Sequence, residues 1–206
     1  MSLPARAAPA PTRSPPGVVS LQPRPESVSD AELVRRALED DAWARAALYH
    51  RHADAVANLA LRLLRDRDQA ADVLQDTFIE ALTQLHRLRE PEKVRAWLRR
   101  IAVNRVQRRF RRKKLLRMLG LDREPALGLD ELASASASPE VRLELRRADG
   151  ALRSLSTRRR VIWTLRVVEG ETLPAIAEAV GLSLATVKRE LTAATEAVRA
   201  AVEEAR

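Results

Sequence analysis

Between Lys93 and Arg117 the chain carries twelve Lys or Arg residues and no Asp or Glu. A cationic run without balancing acids suits one chemistry above others, the neutralisation of phosphate. On a helix, Arg100, Asn104, Arg108 and Arg111 step by four, four and three residues and share one stripe, with Trp97 seven residues before Asn104. Arg suits phosphate, Asn suits a base edge, and Trp suits stacking. Val94, Leu98, Ile101 and Ala102 fall on the other side and can reach a core. The alternative is a solvated basic face with Trp97 in the core. The absence of acids across the whole run favours nucleic-acid binding.

A second constellation lies near the C-terminus. Thr172 to Val180 reads as a short helix with Pro174 in its first turn, where proline is tolerated. Gly181, Leu182 and Ser183 then lead into a long helix from Leu184. Two helices joined by a tight Gly-containing turn form a helix-turn-helix. Ile176, Val180, Leu182, Val187 and Leu191 make the expected seam, Ala177 permits close approach, and Ser183 caps the second helix. Ala185, Thr186, Lys188, Arg189 and Thr192 face outward, as a recognition helix in a major groove requires.

A third group has the opposite charge. Asp72, Gln75, Asp76 and Thr83 share one helix face, away from Leu74 and Phe78. Two carboxylates are too few for a hard cation, which takes six or more oxygens, so a docking or solvated face is expected and no metal site. Cysteine is absent, which excludes thiolate zinc sites, disulfides and a cysteine nucleophile. His50 and His52 lie two apart, on different faces of a helix, and form no chelating pair. With no Gly-rich phosphate loop and no nucleophile–base set, catalysis, a cofactor and a small-molecule substrate are not expected.

The elements that must position these groups are helical. The 206 residues hold only 3% aromatics and six glycines, against abundant Ala, Leu, Arg and Glu. That argues for an all-α fold. The net charge of +9 points to a polyanionic partner. Residues 1–28 are rich in proline and alanine and read as a disordered tail. Ser29-Asp30-Ala31-Glu32 has the spacing of a capping box, opening the first helix. A second helix is expected over 42–65. A third follows a break at 66–68, with Asp68 as its N-cap, and a fourth runs from Pro91 to Met118. Residues 119–138 read as a linker through two glycines, a proline and an Ala-Ser repeat. Helices over 140–153, 157–168, 173–180 and 184–203 complete a second module, spanning 139–206. Two small helical domains, the first over 29–118, are thus expected. No secretory signal or membrane-spanning run is visible, so a cytoplasmic protein without membrane insertion is expected.

Together these residues resemble a bacterial sigma factor of the sigma-70 family, extracytoplasmic-function (ECF) group. Asp72-Val73-Leu74-Gln75-Asp76-Thr77-Phe78 is similar to region 2.2, Trp97 to Asn104 to regions 2.3 and 2.4, and Ile176 to Leu191 to region 4.2. The resemblance implies that Asp72, Gln75 and Asp76 dock on core RNA polymerase. It implies that Trp97, Arg100, Asn104, Arg108 and Arg111 engage the −10 element of promoter DNA, and that the loop from His86 to Glu92 takes up a flipped base. It assigns Thr186, Lys188, Arg189 and Thr192 to the −35 element, and implies an anti-sigma factor as a further partner. Glu190 and Ala193 stand where relatives tend to carry Arg, so a weaker −35 contact is expected. A stand-alone helix-turn-helix regulator is the competing reading.

Overall fold

The computed structural model describes residues 27–118 and 138–203. Its helices are α1 (Asp30–Leu38), α2 (Ala42–Leu64), α3 (Arg67–Gln84), α4 (Val94–Met118), α5 (Pro139–Ser154), α6 (Thr157–Trp163), α7 (Leu173–Val180) and α8 (Leu184–Glu203). No strand occurs among the described residues. The tail before Ser27 and the linker over 119–137 lie outside them.

Short polar side chains set the helix starts. Ser29 accepts a hydrogen bond from the Glu32 amide at 3.2 Å, while the Glu32 carboxylate turns to Arg35. Asp41 caps α2 through the Trp43 and Ala44 amides. The Arg36 guanidinium, joined by those amides, holds the Asp41 carboxyl below its ordinary range. The cap of α3 is Asp66, not Asp68. Asp66 accepts from the Gln69 amide at 2.9 Å, and Asp68 falls inside the first turn, where its charge faces the helix N-terminus. Pro91–Lys93 forms a 3₁₀ turn, so α4 begins at Val94, three residues after the proline. The helix expected over 157–168 is α6 followed by a π turn at Thr164–Val168.

Helices α1 to α4 enclose Leu33, Leu59, Leu63, Val73, Val94, Val103 and Val106, all nearly inaccessible to water. Each such burial contributes about 1.5–3 kcal/mol. Helices α5 and α8 add a smaller cluster of Ala151, Leu152, Leu155, Ala194 and Val198. Val161, Ile162, Leu165, Ile176 and Val187, all from the second half, join the larger cluster instead. Helix α7 packs along α4, so the two halves are in direct apolar contact.

Candidate nucleic-acid interface

Helix α4 is divided lengthwise. Val94, Leu98, Ile101, Ala102, Val103 and Val106 are buried. Arg100, Asn104, Arg108 and Arg111 are exposed, as the stripe requires. Trp97 is half-buried and packs against the core cluster, so only part of its ring faces out. Arg108 and Arg111 face no carboxylate within ion-pair distance among the described residues, which leaves both cations available to phosphate.

Two other arginines of α4, Arg105 and Arg109, are committed within the first half. Arg105 Nε donates to Glu80 at 2.7 Å, and its guanidinium lies 3.7 Å from Asp76. Arg109 reaches Asp72 at 3.3 Å and Asp76 at 3.5 Å. The acidic face of α3 therefore serves α4 as well as solvent. Asp72 keeps 60% of its side chain exposed and Asp76 42%, so both still offer oxygen to a partner. Gln75 is exposed beside them. Ile79, 58% exposed, and Tyr49, stacked edge-on against Phe78 at 4.8 Å, add apolar surface to the same region. The acid–arginine pairing was missed in the sequence. Its signal is a register of Asp72, Asp76 and Glu80 at four-residue steps against Arg105 and Arg109 at the same step.

The loop between α3 and α4 is partly anchored. Leu88 packs on the core, and Lys93 pairs with Glu90 at 2.6 Å, which raises the Lys93 ammonium above its ordinary pKa. His86, Arg87, Arg89 and Glu90 are exposed.

The C-terminal hairpin has the expected turn. Gly181 takes φ +68° at the end of α7, where a side chain is strained, and its amide and that of Leu182 close the helix. Thr172 caps α7 through the Ala175 amide. Ser183 caps α8 through the Thr186 amide at 3.2 Å. Ile176 and Val187 are fully buried at the seam, with Val180, Leu182 and Leu191 partly so. Lys188, Arg189 and Thr192 are exposed. The Thr186 hydroxyl shares a 2.9 Å hydrogen bond with Ser183, so it serves the cap, and the Thr192 hydroxyl donates to the Lys188 carbonyl at 3.1 Å. Glu190 does not project with Lys188 and Arg189. Arg159 Nε of α6 donates to it at 2.8 Å, its side chain is 15% exposed, and that bond holds its carboxyl below the ordinary range. Its charge is neutralised within the module.

The chain is similar to known proteins. Residues 48–115 match the family described as Sigma-70 region 2, and residues 145–198 match Sigma-70, region 4. The RNA polymerase sigma factor NccH of Alcaligenes xylosoxydans xylosoxydans is 33% identical over 77% of this chain and 87% of its own. The chain belongs to the sigma-70 family of RNA polymerase sigma factors. Sigma factor CnrH of Cupriavidus metallidurans is 31% identical over 78% of this chain and 87% of its own. The ECF RNA polymerase sigma factor SigM of Mycobacterium tuberculosis is 29% identical over 78% of each chain. The solved structure of CnrH in complex with the cytosolic domain of CnrY is similar to this sigma factor with a TM-score of 0.60 and 26% identity, over 85% of this chain and 97% of that one. No helix among the described residues is long and apolar enough to cross a membrane.

Proposed function

We propose that this sigma factor divides promoter recognition between its two halves and has no catalysis of its own. Helix α4 reads the −10 element through Asn104, with Arg100, Arg108 and Arg111 on phosphates and the exposed part of Trp97 against a base. Helix α8 reads the −35 element through Lys188, Arg189 and Thr192, with Thr186 at its start. The α3 face of Asp72, Gln75 and Asp76, extended by Ile79 and Tyr49, docks on core RNA polymerase. One observation carries the reading: α4 buries an apolar face and presents an unneutralised Asn104–Arg108–Arg111 row on the other.

By analogy with CnrH, seen bound to CnrY, the chain is held by an anti-sigma factor until needed. Its place of work is the cytoplasm, where core polymerase and DNA are found. The test is co-elution of the purified chain with core polymerase, followed by run-off transcription on genomic fragments. Asn104→Ala should then cost about 1–3 kcal/mol at the −10 element. Transcription unaffected by that change removes Asn104 from the base contact. Failure to co-elute, together with footprints by the chain alone, supports the stand-alone helix-turn-helix regulator instead.

A further inference from the structure

The turn that opens α6 breaks a local rule. Ser156 caps the helix, yet the residues after it are Thr157-Arg158-Arg159-Arg160, with no acid in the first turn. Cations there face the positive end of the helix dipole, which is unfavourable. A chain that breaks such a rule compensates for the break or uses it. Two of the three arginines are compensated. Arg159 Nε donates to Glu190 of α8 at 2.8 Å. Arg160 donates to the Leu152 and Arg153 carbonyls at 2.9 and 3.1 Å. Arg166, further along, donates to the Glu171 carbonyl at 2.9 Å. Arg158 is exposed and meets no carboxylate within ion-pair distance among the described residues.

Its place beside α8 gives that cation a use. Helices α6 and α7 both pack on α8. The Arg159–Glu190 bond lays the first turn of α6 against the middle of α8. Arg158 lies near enough for its charge to act on the Glu190 carboxyl, as does that of Arg189. A helix about 10–12 Å across fills a major groove about 12 Å wide, so elements beside it meet the phosphate walls. Helix α7 carries no Lys or Arg and one Glu, so it brings no cation to a wall. Helix α6 brings Arg158 to the edge marked by Lys188 and Arg189, both exposed. Within α8 itself, Glu190 and Ala193 supply no cation.

We propose that Arg158 is a further DNA contact of this sigma factor: its guanidinium takes a backbone phosphate at the border of the −35 groove, so that the α6 turn and α8 grip one duplex together. The ligand is the phosphate of duplex DNA, and the contact carries no base preference of its own. This rests on the −35 reading of α8, and its test separates the two.

The test uses core RNA polymerase reconstituted with the full chain, on the genomic fragment that it transcribes most strongly in the run-off assay. Arg158→Gln, Arg158→Lys, Lys188→Gln and Arg67→Gln are compared with the parent, each with helicity checked by circular dichroism. Arg67 is exposed at the start of α3 and controls for the change in net charge. Binding is measured across a salt series, and ethylation interference maps the contacted phosphates. One phosphate contact adds about 0.9 to the slope of log affinity against log salt, which between 1 M and 0.1 M amounts to about eightfold. Arg158→Gln should therefore bind about eightfold more weakly at about 0.1 M salt, with a slope shallower by about 0.9, and lose interference at a phosphate bordering the −35 element. Arg158→Lys should keep the slope, since a point charge also binds phosphate. Arg67→Gln should match the parent. A slope and interference pattern unchanged in Arg158→Gln, with binding weakened in Lys188→Gln, overturn the proposal and leave α8 on the −35 element. No effect from either variant removes the −35 reading as well. An equal loss in Arg67→Gln means a general charge effect and overturns the contact. A loss confined to co-elution with core polymerase assigns Arg158 to a protein surface and overturns it too.

Discussion

Asp149→Ala is the sharpest probe of the seam between the halves. Asp149 pairs with Arg65, which ends α2 in a left-handed conformation at φ +58°. Burial, with Arg160 and Arg153 nearby, pulls the Arg65 guanidinium down to about 10, so it stays charged at neutral pH. Removing the carboxylate strands that charge, and breaking a buried pair costs about 3–5 kcal/mol. The pair bridges α2 and α5, so the variant has an escape: the halves part and water reaches Arg65. The loss is therefore the smaller of about 3–5 kcal/mol and the free energy of opening. Urea unfolding followed by circular dichroism measures the loss, and the distance between spin labels on Asn58→Cys and Thr195→Cys, both exposed positions in a chain without cysteine, reports whether the halves have parted. A loss near the full figure with the halves together means a tight seam. A smaller loss with opening means a weak one. Stability unchanged within about 0.5 kcal/mol, with the halves still packed, refutes the desolvated pair. Arg65→Met/Asp149→Leu should come near the parent, because an apolar pair of similar volume strands no charge.

Three other outcomes follow from the same geometry. Arg108→Ala should shallow the salt dependence of duplex binding by about one unit, whereas Arg109→Ala, whose partners are Asp72 and Asp76, should leave it unchanged; anisotropy titrations across a salt series decide. Glu190→Gln should change −35 affinity by less than about threefold, because Arg159 already neutralises the carboxylate; a larger gain would show that Glu190 repels DNA. His52 is 6% exposed and lies 3.2 Å from Asp30, with Arg51 and Arg95 nearby. Desolvation holds its pKa below the ordinary 6.5 in spite of Asp30. The unfolded chain therefore takes up the proton first. Its contribution is fully present above about 6.5 and is lost as pH falls toward the folded value. His52→Gln should flatten that part of the decline in thermal melts from about pH 7.5 to 5.5, and equal slopes would refute it.

Much of this was legible in the residues. Helical period separates Val94, Leu98, Ile101 and Ala102 from Arg100, Asn104, Arg108 and Arg111, and the structure buries the first set and exposes the second. Gly181 and Ser183 mark the helix-turn-helix because left-handed backbone and an orphan amide each demand a particular side chain. What escaped was long-range pairing. Asp66 and Asp68 are both adequate caps by composition, and in the structure it is Asp66 that has extended backbone, while Asp68 already lies in the first turn. Glu190 reads as a repulsive charge until Arg159, 31 residues earlier, is placed beside it. The seam between the halves was equally hidden, since Ile176 and Leu165 look like the core of a self-sufficient hairpin rather than a surface for α4.

The same pairing changes what the basic run means. Arg99, Arg100, Arg105 and Arg109 all meet carboxylates within the chain, and Lys93 meets Glu90. The charge that α4 offers to DNA is therefore smaller than its composition. The two kinds of commitment differ in permanence. Arg105 and Arg109 are held by α3, inside the first half, and remain paired whenever that half is folded. Arg99 and Arg100 are held by Glu171 and Glu178 of the second half. Each cation that reaches a phosphate adds about 0.9 to the slope of log affinity against log salt. Removing those two carboxylates should therefore steepen the slope by up to about two units, while leaving the share of Arg108 and Arg111 unchanged. Comparing the salt series of the parent with that of Glu171→Gln/Glu178→Gln tests this directly. Equal slopes would mean that Arg99 and Arg100 do not reach phosphates even when released, and that the carboxylates serve the seam alone.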